Sequence, residues 1–303
     1  MKKRVKKKSN LLLIITIIII VIAIILVLLS IFKEKIQLSP SSQTNVRLQV
    51  GNAAPTIKSI NPIPNVDLIP ASTKDVIFQF TARDNNGASN LNDATATASF
   101  SKAGEQTRTA SSCIKITDPN SKERTYQCTI SMQYYDASGT WNVAVNVEDN
   151  SALMAQGSSA FIVNLLRDIS ISPATITFST LTQGDTNVLS IENTTITNNG
   201  NTQVPSNIME ITASNLIGET TPSENIPAVN FKTAGQSEAN VCLNGNSLSN
   251  SLSTAITSAL LPRGPTANTG ELSYCLTLVP ESISSQFYST SATGGQPWLI
   301  TLN

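Results

Sequence analysis

Hydrophobic and polar positions follow three regimes along the chain. In residues 11–32 only Thr16 and Ser30 interrupt a run of strongly apolar side chains. At about 1.5 Å per residue such a helix covers roughly 33 Å, one hydrocarbon core. A soluble buried helix would keep a polar face and this run has none, so the pattern predicts a transmembrane helix. Beyond it the period becomes two. Val76, Phe78 and Phe80 alternate with other residues, as do Trp141, Val143, Val145 and Val147, which predicts strands with one face in a core. Runs of this kind at 56–60, 75–83, 94–101, 112–117, 125–132, 141–148 and 159–164 predict seven strands and a β-sandwich over residues 55–166. Asn86-Gly87, Asp118-Pro119-Asn120-Ser121 and Ser138-Gly139 supply the reversals. A third stretch, 167–303, alternates again around Ile169, Ile171, Ile176 and Phe178, then over 188–197, 208–213, 228–231, 254–260, 272–279 and 297–302. It predicts a second all-β unit. The polar segment 33–54, with Pro40, reads as a stalk or as an added strand.

Composition narrows the chemistry. The chain has no histidine, so histidine-based triads, histidine metal ligands and histidine pH switches are excluded. Ser, Thr and Asn number 37, 34 and 29 of 303 residues. No catalytic residues are assigned, since no carboxylate cluster stands out beyond Glu148-Asp149, and the chain is expected not to be an enzyme. Six of the 20 basic residues lie in the first ten. This basic segment, 1–10, precedes the apolar run, so the positive-inside rule predicts a cytoplasmic N-terminus and a signal anchor that exports everything after it. The localisation expected is the cell membrane, single-pass, with the C-terminal domains extracellular. The alternative is cleavage before the helix, as in prepilins: Lys7-Lys8-Ser9-Asn10-Leu11 loosely fits, with Ser9 where glycine or alanine is usual. That route leads to a pilin-like subunit of a surface filament; the remaining alternative, a hydrolase of an envelope polymer, requires turnover that is lost on mutating a carboxylate. From Asp168 onward nine acidic residues face only Lys232 and Arg263, which argues against a nucleic-acid partner.

The four cysteines fall one pair to each predicted domain, Cys113 with Cys128 and Cys242 with Cys275, as suits an oxidising compartment. If the chain turns about the bond between residues 120 and 121, opposing residue numbers sum to 241, and Cys113 faces Cys128. Cys242 and Cys275 both lie in strand-like stretches. Zinc is the competing reading, but the C-x₂₋₄-C spacing is missing.

Phe80-Thr81-Ala82-Arg83-Asp84-Asn85-Asn86-Gly87 and Ser138-Gly139-Thr140-Trp141 resemble motifs of immunoglobulin-like modules in archaeal cell-surface proteins. Ser172-Pro173-Ala174-Thr175-Ile176-Thr177-Phe178, followed by Gly184 and Asn198-Asn199-Gly200-Asn201, is similar to the opening of sandwich domains of the abnormal-spindle and hydin type, with Ser179 where glycine is usual. These resemblances imply an anchored surface protein. The fold expected is all-β: an N-terminal transmembrane helix followed by two immunoglobulin-like antiparallel β-sandwiches.

Three candidate sites follow. Asp84, Asn86 and Asp93, with Asn85, Asn90 and Asn92, crowd oxygen donors that suit Ca²⁺, although a solvated hairpin loop built on Asn-Gly is the simpler account and Gly87 is misplaced for an EF-hand. Apart from this Ca²⁺, no cofactor is expected. Tyr134 and Tyr135, beside a loop, offer an aromatic platform for a glycan, whereas Trp141 and Trp298 belong in the core. Asn193-Thr194-Thr195 is the single N-x-[ST] sequon, so Asn193 is a glycosylation candidate. The partners expected are the membrane and, beyond it, other surface proteins or glycans.

Overall fold

A computed structural model describes residues 3–35, 44–110, 113–205, 208–235, 238–250, 253–256 and 261–303. The chain divides into two units, Met1–Gly51 and Asn52–Asn303. The first holds the helix α1 (Lys3–Lys35) and, among its described residues, 44–51, which form neither helix nor strand. Within α1 the span Asn10–Lys33 is long and apolar enough to cross a membrane, and none of it is buried against protein. Among the described residues of the segment expected to be a stalk, 44–54 form no strand; residues 36–43 lie outside the description.

The second unit begins with eight strands: β1 (Thr56–Ile60), β2 (Thr73–Arg83), β3 (Leu91–Ser101), β4 (Arg108–Ala110), β5 (Ile114–Asn120), β6 (Glu123–Gln133), β7 (Gly139–Asp149) and β8 (Met154–Val163). They form two four-stranded antiparallel sheets, ordered β1-β2-β6-β5 and β4-β3-β7-β8. The alternation seen in the sequence is the burial pattern. Val76, Phe78 and Phe80 of β2 face Trp141, Val143, Val145 and Val147 of β7 across one core that also holds Phe100, Tyr126 and Phe161. Trp141 is wholly buried and its indole N–H donates to the Ala137 carbonyl at 2.8 Å, so the ring fills the core without stranding its polar edge. Gly157 of β8 lets β1 approach, because a Cβ there would press into the Ile57 side chain.

Two expectations need correction. Strand β4 was not foreseen, because its three residues are too few to show a period. The turn between β5 and β6 is centred on Ser121 and Lys122, so Asp118, Pro119 and Asn120 belong to β5 and Asn120 opposes Glu123. Two register shifts along β5 then bring Ile114 opposite Gln127, and Cys113 is bonded to Cys128 although the turn lies one residue from its expected place. Each bulge absorbs an extra residue on one strand.

Downstream the strands are shorter: β9 (Ile169–Ser172), β10 (Val188–Leu189), β11 (Thr194–Asn198), β12 (Met209–Thr212), β13 (Leu216–Gly218), β14 (Asn225–Ile226), β15 (Phe231–Gly235), β16 (Asn246–Ser247), β17 (Thr254–Ala255), β18 (Thr269–Leu276), β19 (Tyr288–Ser289) and β20 (Leu299–Leu302). One sheet runs β16-β15-β18-β11-β9 with β10 also on β18, and two three-stranded sheets run β17-β12-β20 and β14-β13-β19. They enclose a second core of Ile196, Met209, Ile211, Phe231, Leu272, Tyr274 and neighbours. Trp298 packs edge-on to Phe231 at 5.2 Å just before β20, its N–H donating to Ser214 O. The run 188–197 is not one strand but β10 and β11 with an irregular stretch between, and residues 257–260 of the run 254–260 lie outside the description. Cys242 is in a one-turn helix, α2 (Val241–Asn244), rather than a strand. Asn240 caps it, its side-chain oxygen accepting from Leu243 N at 3.2 Å. A disulfide ties this turn to Cys275 of β18.

Candidate functional site

The candidate residues of the first sandwich fall in two places. Asp84 and Asn86 share the turn after β2: one oxygen of the buried Asp84 accepts from Asn86 N at 2.7 Å and the other from Asn90 Nδ2 at 2.9 Å. Asp93 turns elsewhere, to Arg124 Nη1 at 2.8 Å and Tyr126 Oη at 2.9 Å. The three therefore share no common partner, and among the described residues no group of three or more His, Cys, Asp or Glu is placed to hold a metal ion. Of the Ca²⁺ set expected from the sequence, Asp84 and Asn86 form an internally bonded turn and Asp93 is an ion-paired strand residue. Arg124, nearly buried, also donates from Nε to Asp118 at 2.8 Å. Its hydrogen bond, with that of Lys115, lowers the Asp118 carboxyl to about 2.

Tyr134 and Tyr135 lie at the junction between the two sandwiches. Their rings meet edge to face with centroids 5.1 Å apart. Tyr134 Oη donates to Gly264 O of the loop before β18 at 3.0 Å, and the Arg108 guanidinium sits 5.6 Å over the Tyr135 ring. Both are half-buried, so the free stacking platform expected from the sequence is replaced by a packed contact. Burial, then the neighbouring Tyr135, pushes the Tyr134 phenol up.

Around the tyrosines the junction is charged and fully paired. Arg263 reaches into the first sandwich, with Nη2 donating to Glu105 Oε1 at 2.8 Å, and Nη1 to Glu105 Oε2 at 3.0 Å and to Tyr135 O at 2.8 Å. The planar fork matches both carboxylate oxygens, a geometry lysine cannot reproduce. Desolvation pushes the Glu105 carboxyl up, but the hydrogen bond and charge of Arg263 outweigh it and the group sits below its ordinary value. Behind it, Arg108 grips the buried Asp136 through Nη2 at 2.6 Å and Nε at 3.0 Å, and Asp136 also accepts from Gln133 N at 2.8 Å.

On the other side of the junction the asparagine cluster after β11 fastens the connection between the sandwiches. Asn201 donates from Nδ2 to Asn164 O and accepts from Leu166 N, both at 2.8 Å. Asn199 donates to Asp168 Oδ2 at 3.0 Å. Asn198 donates to Thr202 O at 2.8 Å and Pro262 O at 3.1 Å, and Asn268 donates to Asn198 O at 2.9 Å. Asn198 and Asn201 are 1% and 2% exposed, so these bonds replace water for groups that would otherwise be stranded. Gly200 is required here because a Cβ would collide with the Leu166 carbonyl oxygen.

In the sequence the asparagine cluster is visible as a motif but its task is not, and neither Glu105, Arg263 nor Asn268 stands out as a site residue. One signal was available: Arg263 is one of two basic residues after Asp168, held between Pro262 and Gly264. Asn193 is exposed at the entrance to β11, where its amide donates to Glu271 Oε2 at 3.2 Å.

No family model matches the chain, and no curated protein matches it. Among solved structures it is similar to the secreted serine protease VesC from Vibrio cholerae, with 7% identity and a TM-score of 0.23 over 82% of this chain and 51% of that one. The chain thus spans about half the length of that protease. The expectation that the chain is not an enzyme is withdrawn, the similar solved structure being a serine protease. A likeness at that TM-score equally gives no ground for placing protease chemistry on any residue here. In sum, the chain is an antiparallel β protein behind one N-terminal apolar helix.

Proposed function

We propose that the chain is a single-pass membrane protein whose N-terminus stays cytoplasmic and whose two sandwiches, 55–166 and 167–303, stand outside the membrane in a binding, adhesive or envelope-structural role. The observation that carries this reading is the 24-residue helical span Asn10–Lys33, apolar on every side and without protein cover, which only lipid or other apolar helices can solvate. The six basic residues before it support the orientation. Two disulfides on the far side support an oxidising compartment. The paired junction around Arg263 and Asn198 favours a stiff projecting module over two domains swinging on a linker, since every buried polar group named there has its partner within the fold.

The test is the intact mass of protein extracted from its native membrane, with and without reduction before alkylation, together with protease digestion of intact cells. A near-full-length mass, four alkyl groups gained only after reduction, and external digestion of the sandwiches are expected. A mass lacking the residues before Asn10 would replace the anchor with a filament subunit, and thiols free without reduction would sink the exported orientation.

A further inference from the structure

We propose that Asn193 is a glycan acceptor on the outward face of the second sandwich. The inference rests on the exported orientation proposed above, and its own evidence is geometric. In a strand, residues two apart share a face, so the first and third residues of a sequon that leads into a strand lie on one side of the sheet. Thr194 and Ile196 turn into the core, each 1% exposed. Asn193 is exposed, and Thr195, on the opposite face of β11 from Thr194, is half-buried. Thr195 lies opposite Glu271 of β18, and the Asn193 amide reaches the same Glu271 carboxylate; the two sequon residues thus gather on one side of the sheet. The hydrogen bond to Glu271 is between groups in contact with solvent and is readily surrendered.

The surface beside Asn193 suits a covering group. Leu189 and Ile191, just upstream, are 56% and 63% exposed, and a branched polar substituent on Asn193 would overhang them. The chemistry requires a lipid-linked oligosaccharide phosphate as donor. The Asn193 Nδ2 forms a bond to the anomeric carbon, the bond from that carbon to the phosphate oxygen breaks, the lipid phosphate leaves with the bonding electrons, and one amide proton is lost. Because the sequon is the only one in the chain, a single occupied asparagine is expected.

The experiment uses full-length protein from its native membrane. Trypsin leaves Asn193 in one peptide, 168–232, and its mass is read beside the alkylation and cell-surface digestion described above. The expected result is that peptide carrying an oligosaccharide mass, lost in Asn193→Gln and Thr195→Ala and kept in Thr195→Ser. A bare peptide from protein that is surface-digested and disulfide-bonded overturns the glycan while leaving the exported orientation standing. A bare peptide from undigested protein with free thiols overturns both. A sugar mass that persists in Asn193→Gln places it on a hydroxyl and overturns the assignment.

Discussion

The two sandwiches reach similar ends by different means. In the first, β2, β3, β6 and β7 are each 11 residues long, and β2 pairs with β6 along its whole length. In the second, the longest strand among the described residues is β18 with eight residues, and several have two. Side chains there take over what ladders do in the first: Asn198, Asn215, Asn230 and Gln286 bond backbone groups that no strand satisfies. A buried backbone group must be paired somehow, and asparagine, with two donors and an acceptor on a short stem, substitutes where the chain departs from β geometry. Thus the first sandwich concentrates its stability in long ladders and apolar periodicity, and the second, which like the first carries one disulfide, spreads it over polar side chains.

The sharpest way to break this contrast is Trp141→Ala. The ring is fully buried among Val143, Phe100 and their neighbours, so its loss is expected to destabilise the first sandwich by about 3–5 kcal/mol, read by chemical denaturation. Next, replacing Cys242 and Cys275 with serine is expected to cost about 2–4 kcal/mol, seen as a lowered melting temperature. If that pair of changes leaves melting unaltered, the disulfide is not what offsets the short strands. Smaller again, Asn198→Ala strands the carbonyls of Thr202 and Pro262 and the Gly200 N–H. About 1–3 kcal/mol is expected from unpaired buried groups, with faster amide exchange at Gly200 as the local readout.

The smallest expected effect is a pH dependence in the first sandwich. Asp118 is lowered to about 2 in the folded chain by Arg124 and then Lys115. A depressed carboxylate stabilises above its unfolded pKa and loses that contribution as pH falls through the folded value. Stability should therefore decline between about pH 4 and pH 2, by less than about 1 kcal/mol because Asp118 is a third exposed and screened by solvent. Asp118→Asn should flatten that part of the curve. An unchanged slope would remove Asp118 from the account.

Legibility followed the range of the interaction. The helix, the alternating cores and the pairing of Cys113 with Cys128 were readable because each rests on local spacing. The hairpin shows the limit of that reasoning: the cysteines face each other through two bulges that periodicity does not reveal. β10 and β11 were read as one strand because Ser190 to Asn193 keep a polar-apolar pattern without keeping the ladder. Tyr134 and Tyr135 were rightly placed beside a loop, yet whether a loop meets solvent or another domain depends on residues 130 positions away.

The amino-acid sequence by itself determined that this chain has one all-apolar segment of bilayer length, a basic end before it, two stretches of alternating apolar positions beyond it and a cysteine pair in each stretch. Those features come from neighbouring residues and their periods, which burial must respect wherever the strands finally pair. Only the tertiary structure decided that Arg263 holds Glu105 across 158 residues, that four consecutive residues from Asn198 to Asn201 clasp the connection between the sandwiches, and that Asn193 is exposed while Thr194 beside it is buried. Such pairings depend on how two folded surfaces come together, and hydrogen bonds are short enough that no spacing along the chain encodes them.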